Sequence, residues 1–353
     1  MKIFNKSEWK KVKLGDICDI LDSRRIPISE EKRIKGKYPY YGANGIQGYI
    51  NDYIFDEELV LLAEDGGNFG SKTKPIAYKI NGKTWVNNHA HVLKAKNKII
   101  STDFLLYSLM FYNVTKLITG TTRKKLTRTG MEKISLLIPN LDIQDKITNY
   151  LQKIEKFIFF RKNQLIYLKE LSKSLFTRMF GDIKTNDKNW ETNYWKDVLN
   201  IKNGKNQKEV EDINGKYPIY GSGGIIGYSN AYICNENTII IGRKGNINKP
   251  ILVKEKFWNV DTAFGLEIKR DKISYYYLYY FCLFYNFEIH NKAVTIPSLI
   301  KSDLEKISLP VPPIELQNKF AERVEKIEKL SFNFLSNIFF IAKKLKKKGV
   351  EKD

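Results

Sequence analysis

Cysteine and histidine are almost absent from this chain of 353 residues, which holds three of each. Cys18, Cys234 and Cys282 lie so far apart that they supply neither a disulfide framework nor a paired CxxC metal site. His89 and His91 would share one face of a strand, a spacing that can hold zinc, but no third ligand stands near them in sequence and His290 is isolated. No metal is expected. No stretch reaches the roughly 18 uncharged apolar residues of a membrane span, and Met1 to Lys13 alternates charged with apolar residues where a secretory signal would be apolar. A reducing cytoplasm and no membrane partner are therefore expected. Catalytic signatures are missing too. An adenine amino-methyltransferase needs an Asp/Asn-Pro-Pro-Tyr/Phe loop, whereas Pro312-Pro313 is followed by Ile314. In Gly66-Gly67-Asn68-Phe69-Gly70-Ser71-Lys72-Thr73, Ser71 separates Gly70 from Lys72 and breaks the phosphate-binding loop pattern. No nucleophile, base and orienting group can be assembled from the spacing, so the chain is read as non-catalytic.

What is plentiful is positive charge. Sixty Lys and Arg against 39 Asp and Glu leave a formal charge of +21, alongside 13% aromatic residues, a balance that suits a polyanionic partner such as nucleic acid. The plain alternative is a Lys-, Ile- and Asn-rich habit of the source proteome. The length exceeds what one core usually organises, so two domains are expected.

The chain repeats itself. The run from Gly36 to Tyr49 returns from Gly215 to Tyr228, an offset of 179 residues as between Lys37 and Lys216; the copies differ only at Tyr40/Ile219, Ala43/Ser222, Asn44/Gly223 and Gln47/Ile226. The same offset pairs Leu59-Val60-Leu61-Leu62 and Gly66 with Thr238-Ile239-Ile240-Ile241 and Gly245. Further on the offset becomes 173, as between Asn88 and Asp261, and it holds from Met131-Glu132-Lys133-Ile134-Ser135-Leu136 to Leu304-Glu305-Lys306-Ile307-Ser308-Leu309. Within each copy the apolar runs are short, β-branched and punctuated by Gly, Asn and Pro, which predicts strands and turns. A helix is expected to interrupt them over Thr102 to Tyr112 and over Ser274 to Tyr285.

After each copy the period changes. Ile147, Leu151, Ile154, Ile158, Arg161, Leu165, Leu168, Ser172, Leu175 and Met179 follow a four-three spacing, answered by Phe320, Val324, Ile327, Ser331, Phe334, Ile338, Ile341 and Leu345. Each predicted helix is about 50 to 55 Å long at 1.5 Å per residue, too long for its small globule, so the two are expected to pair antiparallel as a coiled coil about a pseudo-two-fold axis. The fold class expected is α+β, with two similar domains over 1–141 and 182–312, spacer helices over 142–181 and 313–348, and a tail over 349–353. Arg161, Ser172 and Ser331 interrupt the seam; they either fix register, face a partner or are tolerated at a solvated edge.

This order of globule, long helix, globule, long helix resembles the specificity subunit of type I restriction-modification systems. Gln144 and Gln317 early in the helices, the run Ser174 to Gly181 closing the first, and the starts Trp9, Val12, Leu14-Gly15-Asp16-Ile17 and Trp195, Val198, Leu199 carry the likeness over nearly the whole chain. The resemblance implies two target recognition domains that each read half of a split sequence in double-stranded DNA, with the helices setting the gap and docking two adenine methyltransferase subunits. It also implies that those partners bind S-adenosylmethionine, that no cofactor sits on this chain, and that a restriction and translocation subunit joins through the complex. The alternatives are the specificity subunit of a related system with a fused methyltransferase-nuclease partner, or a protein scaffold indifferent to DNA.

Candidate DNA contacts follow from side-chain chemistry. In the Tyr-Gly-x-x-Gly loops the glycines either admit DNA closely or only allow a tight turn, while Ala43, Asn44, Ser222 and Gly223 differ between copies and are placed for readout. Asn44, Asn68, Asn246 and Asn248 can donate to and accept from adenine, although exposed Asn is commonly a turn former. Arg243 and Lys244 stand where the first copy has Glu64 and Asp65, a reversal of sign at one position. Thr121, Thr122, Arg123, Lys124 and Lys125 combine hydroxyls with three cations able to grip phosphate, or else form a solvated charge run. Arg24, Arg25, Lys202 and Lys205 complete the set.

Overall fold

A computed structural model describes residues 8–269, 272–293 and 295–349, with side chains as far as 332. It divides into two compact units, Met1–Phe157 and Ile158–Asp353, with the division inside the first long helix rather than at its start.

The first unit is built on a four-stranded antiparallel sheet ordered Cys18–Ile20, Ala90–Ala95, Leu59–Ala63, Ala77–Ile80. The second repeats it with Leu199–Asn203, Ala263–Ile268, Thr238–Gly242, Ile251–Val253. Leu59–Ala63 and Thr238–Gly242 are buried along their whole length. Each is an inner strand covered on both faces, which is why it reads as an unbroken apolar run instead of an alternation.

A second small sheet in each unit carries the repeated motif. Tyr38–Gly42 and Gly45–Ile50 form a hairpin, with Lys83–Val86 running parallel to its first strand. Tyr217–Gly221, Gly224–Ser229 and Trp258–Asn259 do the same. Both hairpins shift register at one place, after Tyr40 and after Ile219, and both close through Gly45 and Gly224 at φ +116 and +126. Gly36 and Gly215 answer a different need. A Cβ there would lie 2.2 Å from the Asn51 backbone and 2.4 Å from that of Ser229, so only glycine permits the close approach.

The helices expected within the copies span Thr102–Leu109 and Tyr275–Phe284 and bury Leu105, Leu109, Tyr277, Leu278 and Phe281. Each ends a little early; Tyr285 turns to extended backbone and stacks on Phe281. A two-strand ribbon then ties the start of each sequence copy to the strand before the long helix that follows it, Lys10–Lys13 with Ser135–Ile138 and Thr192–Tyr194 with Ser308–Pro310.

The long helices span Leu141–Phe180 and Ile314–Gly349. In the first, Ile147, Leu151, Ile154, Ile158, Leu165 and Leu168 are all half-buried, while Ser172 is buried with its hydroxyl donating to the Leu168 carbonyl, so this polar interruption is satisfied within the helix. Ser331 does likewise to Ile327. Phe320 and Val324 belong to the core of the second unit, as Ile147 packs on the core of the first. Phe176 and Phe180, which fall off the four-three spacing, are the residues of the first long helix that reach Phe320, at ring separations of 5.6 and 5.3 Å. The opening of each seam thus binds the helix to its own globule. Ile327 is half-buried, and the side chains of Phe334, Ile338 and Ile341 lie outside the described residues.

Candidate nucleic-acid interface

Four segments that are far apart in sequence meet at one end of the first unit. The hairpin tip comes first: Asn44 donates through Nδ2 to the Gly66 carbonyl at 2.9 Å and accepts from Asn68 Nδ2 at 3.1 Å. The Tyr78 hydroxyl donates to the Gly42 carbonyl, and Asn87 donates to Gln47 at 2.9 Å, so the tip is held on both sides. The loop after Leu59–Ala63 supplies Glu64 and Asp65. Against it lies the segment 119–126, anchored by the Leu126 amide on the Glu64 carbonyl at 2.7 Å. Its Arg123 reaches Asp65 at 2.8 Å and its Lys125 reaches Glu64 at 2.9 Å. His89 closes the group on Asp65 at 2.7 Å.

The second unit assembles the same face from different side chains. The Leu299 amide donates to the Arg243 carbonyl at 2.9 Å, and Lys244 bridges to Ser298 where Asp65 bridges to Lys125. A Cβ on Gly223 would stand 3.5 Å from Asn246 Nδ2, so hairpin tip and strand-end loop adjoin here too. The sign reversal seen in the sequence acquires a physical meaning. Glu64 and Asp65 are covered by cations of their own unit, whereas Arg243 and Lys244 have no carboxylate partner among the described residues, Arg243 lying over the Phe264 ring at 5.7 Å. Arg123 is 64% exposed although Asp65 beneath it is covered, so this cation remains open to a polyanion from the solvent side.

Several candidates stand elsewhere. Arg25 is nearly enclosed and holds Glu64 at 2.6 Å and the Ala90 carbonyl at 2.7 Å, so it braces the face from beneath and is corrected to a structural cation. Arg24 lies over Phe55 and pairs with Glu57 at 2.9 Å. Asn248 accepts from the Phe287 amide at 2.8 Å and donates to Asn286, which fixes it to a neighbouring turn. Lys202 faces Glu267 at 3.6 Å, and Lys205 is exposed with its backbone held by Asn259 and Trp258. Thr121, Thr122 and Lys124 are exposed, and Lys124 has no ion pair among the described residues. Lys72 and Lys74, in the glycine loop that does not fit a phosphate-binding motif, are exposed beside Asn68 and unpaired among the described residues. Their position in a glycine-rich loop was the available signal.

Asp22, Glu64 and His91 each bring one ligand-type atom within 4.8 Å of the others. Arg25 and Lys125 already take the carboxylate oxygens, so the group is a neutralised ion cluster and a poor fit for a metal ion. Burial raises the carboxyl of Glu64, but hydrogen bonds from Arg25 and Lys125 outweigh it and leave the group below the usual carboxylate range. The thiols offer no nucleophile: burial pushes Cys18 and Cys234 up to about 12 and Cys282 higher still. Among the described residues no helix is long and apolar enough to cross a membrane.

Known proteins share this organisation. A putative type I restriction enzyme specificity subunit of Haemophilus influenzae is 25% identical over 362 residues, covering 92% of this chain and 88% of its own. A putative type I specificity subunit of Mycoplasma pneumoniae is 28% identical over 249 residues, 67% of each chain. The fold is similar to the crystal structure of the type I restriction-modification S subunit from M. genitalium, with a TM-score of 0.64 at 16% identity over 95% of this chain and 93% of that one. The type I restriction modification DNA specificity domain matches residues 6–170 and again 187–338. The duplicated, loop-bearing units and this double match together establish that the chain belongs to the type I restriction-modification DNA specificity subunits, which choose the DNA sequence and do not themselves catalyse.

Proposed function

We propose that each unit reads one half of a bipartite DNA site through its four-segment face, and that the chain docks two adenine methyltransferase subunits. The observation that carries the DNA reading is one backbone arrangement built twice with different side chains at the contact positions. Asn68, Thr121, Thr122, Arg123, Lys124 and Lys125 serve the first half-site; Ser222, Gly223, Arg243, Lys244 and Asn246 serve the second. Cations in both sets supply the phosphate attraction that positions the protein, and base edges are read by the residues that vary between copies.

Docking of the partners is supported by the long helices. Phe159, Phe160, Ile166 and Tyr167 are 60, 61, 56 and 70% exposed on one face, opposite the four-three seam. An apolar stripe of this size on a helix favours a protein partner. Phe332, 70% exposed, is the counterpart of Phe159 at the 173-residue offset, and Phe339-Phe340 answer Ile166-Tyr167 in sequence. This correspondence in sequence supports a second copy of the same partner. In this reading S-adenosylmethionine binds the methyltransferase subunits, a restriction and translocation subunit joins through the complex, and the assembly works in the cytoplasm.

The test exchanges residues 1–141 for the matching domain of a specificity subunit with another target and maps methylated sites in a host that carries the methyltransferase subunit. One half-site is expected to change and the other to persist. Change in both, or in neither, refutes the assignment of one half-site to each unit.

A further inference from the structure

One surface cluster is the same in both copies while its surroundings are not. In the first, Lys37 Nζ lies 5.4 Å from the centre of the Tyr38 ring and Lys83 Nζ lies 4.7 Å from that of Tyr53, and the two rings meet at 5.2 Å. In the second, Lys216 lies 5.4 Å from Tyr217 and Lys256 lies 4.6 Å from Tyr232, and the rings meet at 5.1 Å. The four residues correspond across the duplication, at the offset of 179 for the first three and of 173 for the last lysine. Strand pairing agrees, because Trp85 lies beside Tyr40 as Trp258 lies beside Ile219. The exposed positions nearby have diverged: Asp52, Asp56 and Asn81 are answered by Ala231, Asn235 and Lys254.

Packing explains the rings better than it explains the cations. Tyr38 and Tyr217 begin the first strand of each motif hairpin, and Tyr53 and Tyr232 follow the second, so each ring pair closes the open end of its hairpin. Any apolar side chain could serve there. The lysines are another matter, since none of the four has a carboxylate partner among the described residues, and Lys37, Lys83 and Lys216 are exposed. Asp56 stands opposite Lys83 in the strand pair but makes no ion pair with it. Lys256 donates to the Tyr232 hydroxyl at 3.3 Å. A ring face attracts an ammonium without neutralising it. Each ring pair therefore fixes where two positive charges stand and leaves them available to an anion.

Tyr38 and Tyr217 each stand four residues before the glycine at which the tip begins, Gly42 or Gly221. That is about 13 Å of strand. The major groove is about 8.5 Å deep, so a tip that touches base edges leaves the cluster near the height of the groove rim, where the phosphates run. Two readers of different bases share only the backbone that carries those bases. We propose that Lys37 with Lys83, and Lys216 with Lys256, grip the sugar-phosphate backbone beside each half-site and take no part in choosing its sequence. The proposal rests on the DNA reading and divides the labour within each unit: the tip and strand-end loop read, and the lysine-tyrosine cluster holds.

The test uses the full chain in complex with the methyltransferase subunit and two duplexes, one carrying the mapped target and one without it. Lys37→Gln with Lys83→Gln, and Lys216→Gln with Lys256→Gln, should each lower the slope of log affinity against log salt by about 2 on both duplexes, since each phosphate contact contributes about 0.9. The ratio of the two affinities should hold within about twofold, and methylome mapping should return the same target. The matching Arg pairs keep the charge and should keep the wild-type slope. An unchanged slope in the Gln pairs, a slope lowered as far in the Arg pairs, or a changed target overturns the proposal. If the wild type shows neither salt-dependent binding nor preference for its target, the DNA reading falls and this proposal with it. If the wild type shows both and the Gln pairs match it, only the backbone grip falls.

Discussion

Gln144 holds the start of a helix to which it does not belong. Its Oε1 accepts from the Ser101 amide at 2.9 Å, at the cap of Thr102–Leu109, while Nε2 donates to the carbonyls of Ile99 and Pro139, both at 2.9 Å. Gln317 repeats this with the Ser274 amide at 2.8 Å and the carbonyls of Lys272 and Pro312 at 3.0 and 2.7 Å. Both carboxamides are fully buried. Gln144→Ala or Gln317→Ala leaves an amide and two carbonyls without partners, and an unmet buried group costs about 1 to 3 kcal/mol. Each variant is expected to lose about 3 kcal/mol in urea unfolding of its unit; a loss under about 1 kcal/mol would mean that water replaces the side chain.

Lys124 is the cation of its segment with no internal partner among the described residues. Lys124→Ala should weaken DNA binding across sequences and lower the slope of log affinity against log salt by about 1. Reversing Arg123, Lys124 and Lys125 together should flatten the slope further, and also expose Glu64 and Asp65 to the phosphates. An unchanged slope excludes the segment as a phosphate contact.

Arg243 has no carboxylate partner among the described residues where the first unit has Glu64, and its guanidinium matches the acceptor pair of guanine. Arg243→Ala is expected to cost about 1 to 3 kcal/mol in binding and to relax one position of the second half-site. Methylome mapping would show this directly. Degeneracy arising in the first half-site would contradict the division of labour between the units.

Gly36 and Gly215 test the packing of the motif hairpins. An alanine at either meets backbone atoms under 2.5 Å away, which no side-chain motion relieves. Gly36→Ala and Gly215→Ala should each lower stability by about 3 kcal/mol. Normal melting curves would show that the hairpin slides to make room.

Much of this architecture is legible in the sequence because the duplication compares the chain with itself. Near-identity between Tyr38 to Gly42 and Tyr217 to Gly221, which differ only at Tyr40/Ile219, marks backbone that must be preserved, and their strand pairing is indeed the same. What escapes is anything made of residues brought together only by folding. Arg25 reads as a free surface cation until Glu64, 39 residues away, and the Ala90 carbonyl are seen around it. Phe176 and Phe180 escape for another reason: a heptad rule marks positions that face a partner helix, while these two turn into the aromatic cluster of Tyr277 and Tyr280. Lys72 and Lys74 escape because a glycine-rich loop that lacks the nucleotide-binding spacing carries no other sequence mark of an exposed cationic surface.

The two hairpin tips differ in how freely heredity can rewrite them. In the second copy the backbone of the tip is dictated by flanking glycines and a fixed register shift, and Ser222 and Gly223 lie outside the core, whereas in the first Ala43 is buried and Asn44 is bonded to Gly66 and Asn68. A lineage can therefore exchange letters at the second tip, and acquire a new target, without first surviving an unstable intermediate, while the first tip changes only at the expense of its own contacts.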